Sequence, residues 1–128
     1  MAEKPYISTD DRAMQCAVLA LDKKALDVKI LDIRGISTIA DYLVLASGSS
    51  DKQVLAIADS VRTGLKKFGK AIDIEGAQEG KWVVIDYGDV IVHVFVEELR
   101  AYYNLDELWG HAREVAIPAE YQWEKKQP

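Results

Sequence analysis

Residues 42–46, Tyr-Leu-Val-Leu-Ala, form an almost uninterrupted apolar run inside DYLVLASGSS. A strand with one wet face alternates apolar and polar residues, whereas a strand covered on both faces reads as a continuous apolar stretch. The run therefore suits a central strand of a sheet, and the rest of the chain has to supply what covers it.

Helical patterns lie on either side. A first helix is expected to begin near Thr9 as N-cap, with Asp10 and Asp11 in its first turn against the positive helix end. Its apolar positions, Ala13, Met14, Ala17, Val18 and Leu21, have helical spacing, and the pattern fades by Leu26. ALDVKILDIRG then reads as a strand that breaks at Gly35. After the central run, Ser50 and Gln53 have capping-box spacing and Gly69 fits a C′ residue. Val54, Ile57, Ala58, Val61, Leu65 and Phe68 make one stripe between them, opposite a charged face of Lys52, Asp59, Arg62 and Lys66 expected to be solvated.

AIDIEG reads as a short strand. WVVIDYGDVIVHVF follows as part of a hairpin over 81–96, turning at Asp86 to Asp89. Gly88 is where a positive φ costs least, and Tyr87 is expected at the exposed tip. EELRAYYNLDELWGHAREV reads as one or two short helices, and the tail after Pro118 as polar and loose. Helix, two strands, helix, three strands and helices give an α/β class: a mixed β-sheet with helices packed on it. The pattern leaves strand order open.

The 128 residues, 49% hydrophobic, suffice for one domain with a core. No apolar run is long enough to span a bilayer, and MAEKPYISTDD lacks a secretory pattern. The lone Cys16 cannot form an intrachain disulfide and reads as a small buried hydrophobe in a reducing cytosol. A net charge of −5 argues against broad, sequence-independent capture of nucleic acid by phosphate neutralisation. It is compatible with docking on a basic protein.

Two kinds of chemistry compete for the hairpin. In the enzymatic reading, Gly48-Ser49 at a helix start would hold a phosphate, as in nucleotidyltransferases, with Asp73 and Glu75 holding magnesium. Those acids come 25 residues after Gly48, a whole helix away, so helix capping explains the Gly-Ser better. Asp86 and Asp89 flank a turn, where Asp is favoured for local hydrogen bonding. His93 and His111 are the only histidines and form no three-ligand zinc pattern. In the binding reading, Trp82, Tyr87, Tyr102, Tyr103 and Trp109 fall within 28 residues, and such side chains anchor interfaces. Tyr87 favours the interface, while Trp109 fits core and interface equally.

Several residues together carry a family resemblance. They are Asp41 before the apolar strand, Ser47-Gly48-Ser49, Trp82, Asp86-Tyr87-Gly88-Asp89, His93 and the Arg100–Trp109 ending with Leu108-Trp109. In this order the chain resembles the ribosomal silencing factor family, also called Iojap-like or RsfS, from about Ala13 to Trp109. The resemblance implies a nucleotidyltransferase-like fold without the catalytic metal acids, and neither catalysis nor cofactor. It implies cytoplasmic binding to the large (50S) ribosomal subunit through its fourteenth large-subunit protein. That would block association with the small subunit and repress translation when nutrients are scarce.

A homodimer when free is also implied, with no membrane association and no direct sequence-specific nucleic-acid binding. The family's contact surface corresponds to Trp82, Asp86, Tyr87, Gly88, Asp89, His93, Arg100, Tyr103 and Trp109. Residues 1–109 would form the domain and 110–128 a partly flexible C-terminal extension. The alternative is a nucleotide-binding or nucleotidyltransferase-type enzyme.

Overall fold

The computed structural model describes residues 4–123. The elements are α1 (Thr9–Leu21), β1 (Leu26–Asp32), β2 (Tyr42–Gly48), α2 (Asp51–Leu65), β3 (Asp73–Glu75), β4 (Trp82–Asp86), β5 (Val90–Val96), α3 (Glu97–Tyr103), α4 (Leu105–Leu108) and β6 (Arg113–Val115). Six strands form one sheet in the order β3-β4-β5-β2-β1-β6. Only β2 and β5 are parallel; the other pairs are antiparallel. The sheet is mixed and the fold α/β, as the element order implies.

The apolar run becomes β2, flanked by β5 and β1, and all seven of its residues are buried. One face of the sheet packs against α1 and α2 through Ile30, Val44, Val83, Ile85, Val92 and Val94, among others. The opposite face carries Leu31, Leu43 and Leu45, covered by Leu105 and Trp109 from the C-terminal segment. Two-sided burial is thus met by a two-helix layer on one side and by two short helices on the other.

Helix α2 starts as its sequence indicates. The Ser50 hydroxyl accepts from Gln53 N at 3.1 Å. The Gln53 side chain departs from a reciprocal box: its Oε1 takes Ser49 N and Ser49 Oγ, while Nε2 donates to the carbonyls of Lys23 and Lys24. Gly48 admits this first turn, since a Cβ there would lie 3.0 Å from Val54 Cγ2 and 3.1 Å from Val54 N.

Two sequence expectations need correction. The N-cap of α1 is Ser8, not Thr9, because Thr9 gives its hydroxyl to Asp89 at 2.9 Å. Residues 113–115, read as the end of a helix, form β6 on the free edge of β1, pairing Ile30 with Val115 and Asp32 with Arg113. The extension expected after 109 therefore contributes residues 113–115 to the sheet. It is fixed further on by Gln122 Nε2 donating to Ile117 O and Trp123 Nε1 donating to Ala25 O. Residues 124–128 of that extension lie outside the described residues.

The C-terminal layer is held by one buried cation. Arg100 lies on α3, 6% exposed. Its Nε and Nη2 donate to the two oxygens of Asp106, each at 2.9 Å, and Nη1 donates to Ser47 Oγ at 2.9 Å. Lys29 Nζ reaches Asp106 at 3.0 Å. The Arg100 hydrogen bonds hold the Asp106 carboxyl well below the usual range, with Lys29 adding to the effect. A bidentate pair of this kind fixes both partners in one geometry. Arg100→Ala should lower unfolding free energy by about 2–3 kcal/mol, because Asp106 and Ser47 lose their donor. Urea denaturation checks this, and Arg100→Lys should recover only part of the loss, since an ammonium cannot match the fork.

Candidate functional site

Period-two alternation divides the β4–β5 hairpin between the two sides of the sheet. Val83, Ile85, Val92 and Val94 face the helices. Trp82, Val84 and Asp86 face the other way, paired across the hairpin with Phe95, His93 and Ile91. Trp82 stacks on Phe95 with ring centroids 4.9 Å apart and meets the Tyr103 ring at 4.7 Å. Tyr102 meets Tyr103 edge-on at 5.0 Å. Beside this cluster Trp109 packs, half-buried, on the patch of Leu31, Leu43 and Leu45. Trp82, His93, Tyr103 and Trp109 therefore come together on one sheet face. Tyr102, Tyr103 and Leu108 are 78%, 49% and 69% exposed, so α3 and α4 cover the face while offering apolar surface outward.

The remaining expected site residues turn inward. Tyr87, expected at the exposed tip, is buried against the α1–α2 layer with the Arg12 guanidinium 5.5 Å from its ring centroid. Burial pushes its hydroxyl pKa upward. The alternation Val83, Ile85, Tyr87 was the signal for this side, and it outweighs the turn position. Asp89 is engaged with Arg12, whose Nε sits 3.1 and 3.2 Å from the two carboxylate oxygens, and with Thr9. Gly88 has φ +89°, as the turn requires, and Asp86 Oδ1 accepts its N–H at 2.7 Å. Arg100 faces Asp106 and Ser47 rather than solvent. Sequence reasoning missed Arg12 and Ser47 as partners, because no local spacing links residues 77 or 53 positions apart, and it missed Asp106, six positions from Arg100 across the break between α3 and α4.

Trp82 was expected as a free anchor at a sheet end. It is half-buried instead, and its indole Nε1 donates to His93 Nδ1 at 3.1 Å. That bond leaves the His93 proton on Nε2, and burial lowers its pKa to about 4. A histidine that stays neutral and has its acceptor nitrogen occupied is a poor general base at neutral pH. The enzymatic grouping is also separated in space. Gly48 ends β2, whereas Asp73 and Glu75 lie on edge strand β3, with β5 and β4 between. At about 4.8 Å per strand this leaves roughly 14 Å between the two strands. Among the described residues no three His, Cys, Asp or Glu side chains come together as a metal site.

The lowered His93 pKa sets a pH dependence. Unfolded His93 takes up a proton below about pH 6.5, whereas folded His93 does so only near pH 4. Stability is therefore complete above the unfolded value and falls as pH drops across that window, by at most about 1.4 kcal/mol per unit. Urea midpoints between pH 7.5 and 5 should show this slope in the native protein and lack that component in His93→Phe.

The sequence and fold both have close relatives. The family described as ribosomal silencing factor during starvation, RsfS, matches residues 6–128, so the C-terminal strand lies within the family's extent. The ribosomal silencing factor RsfS of Halalkalibacterium halodurans is 45% identical over 111 residues, covering 85% of this chain and 95% of the relative. That of Bacillus subtilis is 48% identical over 92 residues, covering 71% and 78%. The crystal structure of protein CV0518 from Chromobacterium violaceum superposes with a TM-score of 0.79 at 31% identity, covering 88% of this chain and 94% of that one. A match that spans the whole sheet, β6 included, with relatives of similar length places this chain in the ribosomal silencing factor (RsfS) family.

Proposed function

We propose that this protein is a non-catalytic translation repressor that docks on the large ribosomal subunit and prevents the small subunit from joining. The observation that carries this reading is the aromatic sheet face of Trp82, His93, Tyr103 and Trp109, fringed by exposed Tyr102 and Leu108, in a chain of the silencing factor family. Large aromatic groups half out of water are what a protein partner buries. The partner in this reading is a ribosomal protein of the large subunit, the fourteenth, whose basic groups complement the chain's charge of −5. The free protein is proposed to dimerise and to act in the cytoplasm. Among the described residues no helix is long and apolar enough to cross a membrane.

In this reading Arg100 and Asp89 support the face and the hairpin from within, Tyr87 is turned to the helix side, and direct contact is left to Trp82, Tyr102, Tyr103, Leu108 and Trp109. Wild-type protein in excess should sediment with isolated large subunits and reduce joined particles in a gradient; unchanged joining would overturn the reading. Tyr103→Ala combined with Leu108→Ala should weaken large-subunit binding by about 2–3 kcal/mol, roughly thirty- to a hundredfold. Because Leu108 is exposed and Tyr103 is half out of water, the melting temperature should fall only by the lost ring contact with Trp82, less than in Trp82→Ala. Trp82→Ala, by contrast, should lower both binding and melting temperature, since it removes the stack on Phe95.

A further inference from the structure

On the helix side of the sheet, at the β3 edge, a cavity of about 340 Å³ opens between the C-terminal end of α2 and the β4–β5 turn. Arg62, Lys66 and Lys70 line it. Among the described residues none of the three forms an ion pair, in contrast to Arg12 at Asp89, Arg100 and Lys29 at Asp106, and Arg34 and Arg113 at Asp32. One carboxylate, Asp59, also lines the cavity, so three cations stand against one anion in a chain whose net charge is −5. Arg62 and Lys66 complement the negative end of the α2 dipole. That role does not bring Lys70 to the same cavity.

A second, independent feature points into the same space. Tyr87 lines the cavity and is only 9% exposed, yet among the described residues its hydroxyl makes no hydrogen bond. The hydroxyl itself is not sealed in the core, since the one buried side-chain polar atom without a hydrogen-bond partner among the described residues is Asp89 Oδ1, so the phenol oxygen is open to the solvent-accessible space of the cavity. The other buried tyrosine, Tyr42, spends its hydroxyl within the chain and donates to Asp10 at 2.8 Å. Tyr87 instead presents an unspent donor beside three unpaired cations and the Thr63 hydroxyl. Ala71 and Ile74 add apolar wall.

We propose that this cavity is a binding site for a small phosphorylated metabolite. Arg62, Lys66 and Lys70 neutralise the phosphoryl group, the Tyr87 hydroxyl donates to one of its oxygens, and the carbon body lies on Ala71 and Ile74. Several cations and a neutral donor converging without a carboxylate of equal charge suit an anion with several acceptor oxygens. The volume lies at the small end of ligand sites, which fits a molecule the size of a sugar phosphate better than a dinucleotide. The site is on the opposite side of the sheet from Trp82 and His93, so it stands or falls independently of ribosome docking.

The test is calorimetry and thermal melting of the full chain with ribose 5-phosphate, inorganic phosphate and pyrophosphate, each against sodium chloride of equal ionic strength. A short mixed-sequence single-stranded RNA forms a separate arm. Ribose 5-phosphate should bind saturably and raise the melting temperature. Arg62→Gln with Lys66→Gln, both exposed positions, should weaken binding ~10-fold or more. Tyr87→Phe should weaken it several-fold, and Lys70→Gln gives a second reading if that variant folds poorly. Equal, non-saturating responses in wild type and the Arg62/Lys66 variant would overturn the proposal. So would binding of RNA alone, which would reassign the cations to a nucleic-acid backbone.

Discussion

The Arg100 guanidinium joins three parts of the chain that local structure would leave apart. It spans from α3 to Asp106 in α4 and to Ser47 near the end of β2. Burying an arginine is costly unless its donors are met, and here three of its nitrogens each have an oxygen at 2.9 Å. The consequence is directional. Helices α3 and α4 are only seven and four residues long, too short to hold a position by their own stability. Tied to the sheet by this pair, they bring Leu105 and Trp109 down onto Leu31, Leu43 and Leu45, and Tyr103 against Trp82. The aromatic face exists because a polar contact beneath it sets its angle.

The β4–β5 turn is fixed from the other side. Asp86 closes the turn on Gly88 N, and Asp89 reaches across to Thr9 and Arg12 at the start of α1. With the Arg12 guanidinium also lying over Tyr87, the turn is anchored to the helix layer by charge and by ring contact. The hairpin that carries Trp82 and His93 is thus braced at its turn by α1, while its open end is covered by Tyr103. Rigid support of this kind lowers the cost of presenting an aromatic surface to a partner.

The two sides of the sheet differ in chemistry. The face away from α1 and α2 is aromatic and apolar over the central strands, with Arg100 and Asp106 paired beneath it, and carries Asp73, Glu75 and Asp86 towards its β3 edge. The helix side holds the unpaired cations of the α2 terminus and the unpartnered Tyr87 hydroxyl. The central strands separate the two, and both meet at the same hairpin, since Tyr87 follows β4 directly while Trp82 begins it. A single seven-residue strand buried on both faces is what makes two such surfaces possible in a chain of this length.

The sequence by itself determined the features that depend on neighbours in the chain. The apolar run at Tyr42–Ala46 specified a buried strand, the stripe from Val54 to Leu65 specified α2, and Gly88 specified the hairpin turn, because periodicity and φ preference are local properties. The side chosen by Tyr87 was also legible in the alternation Val83, Ile85, Tyr87, although its place in a turn suggested exposure. The tertiary structure alone decided which charges are internal. Asp89 and Arg12 are 77 residues apart, and Arg100 and Ser47 are 53 apart, so neither contact leaves a trace in spacing. It also decided β6: three residues with one partly buried position carry too little pattern to announce a strand, and they become one because β1 presents an edge whose backbone groups need partners.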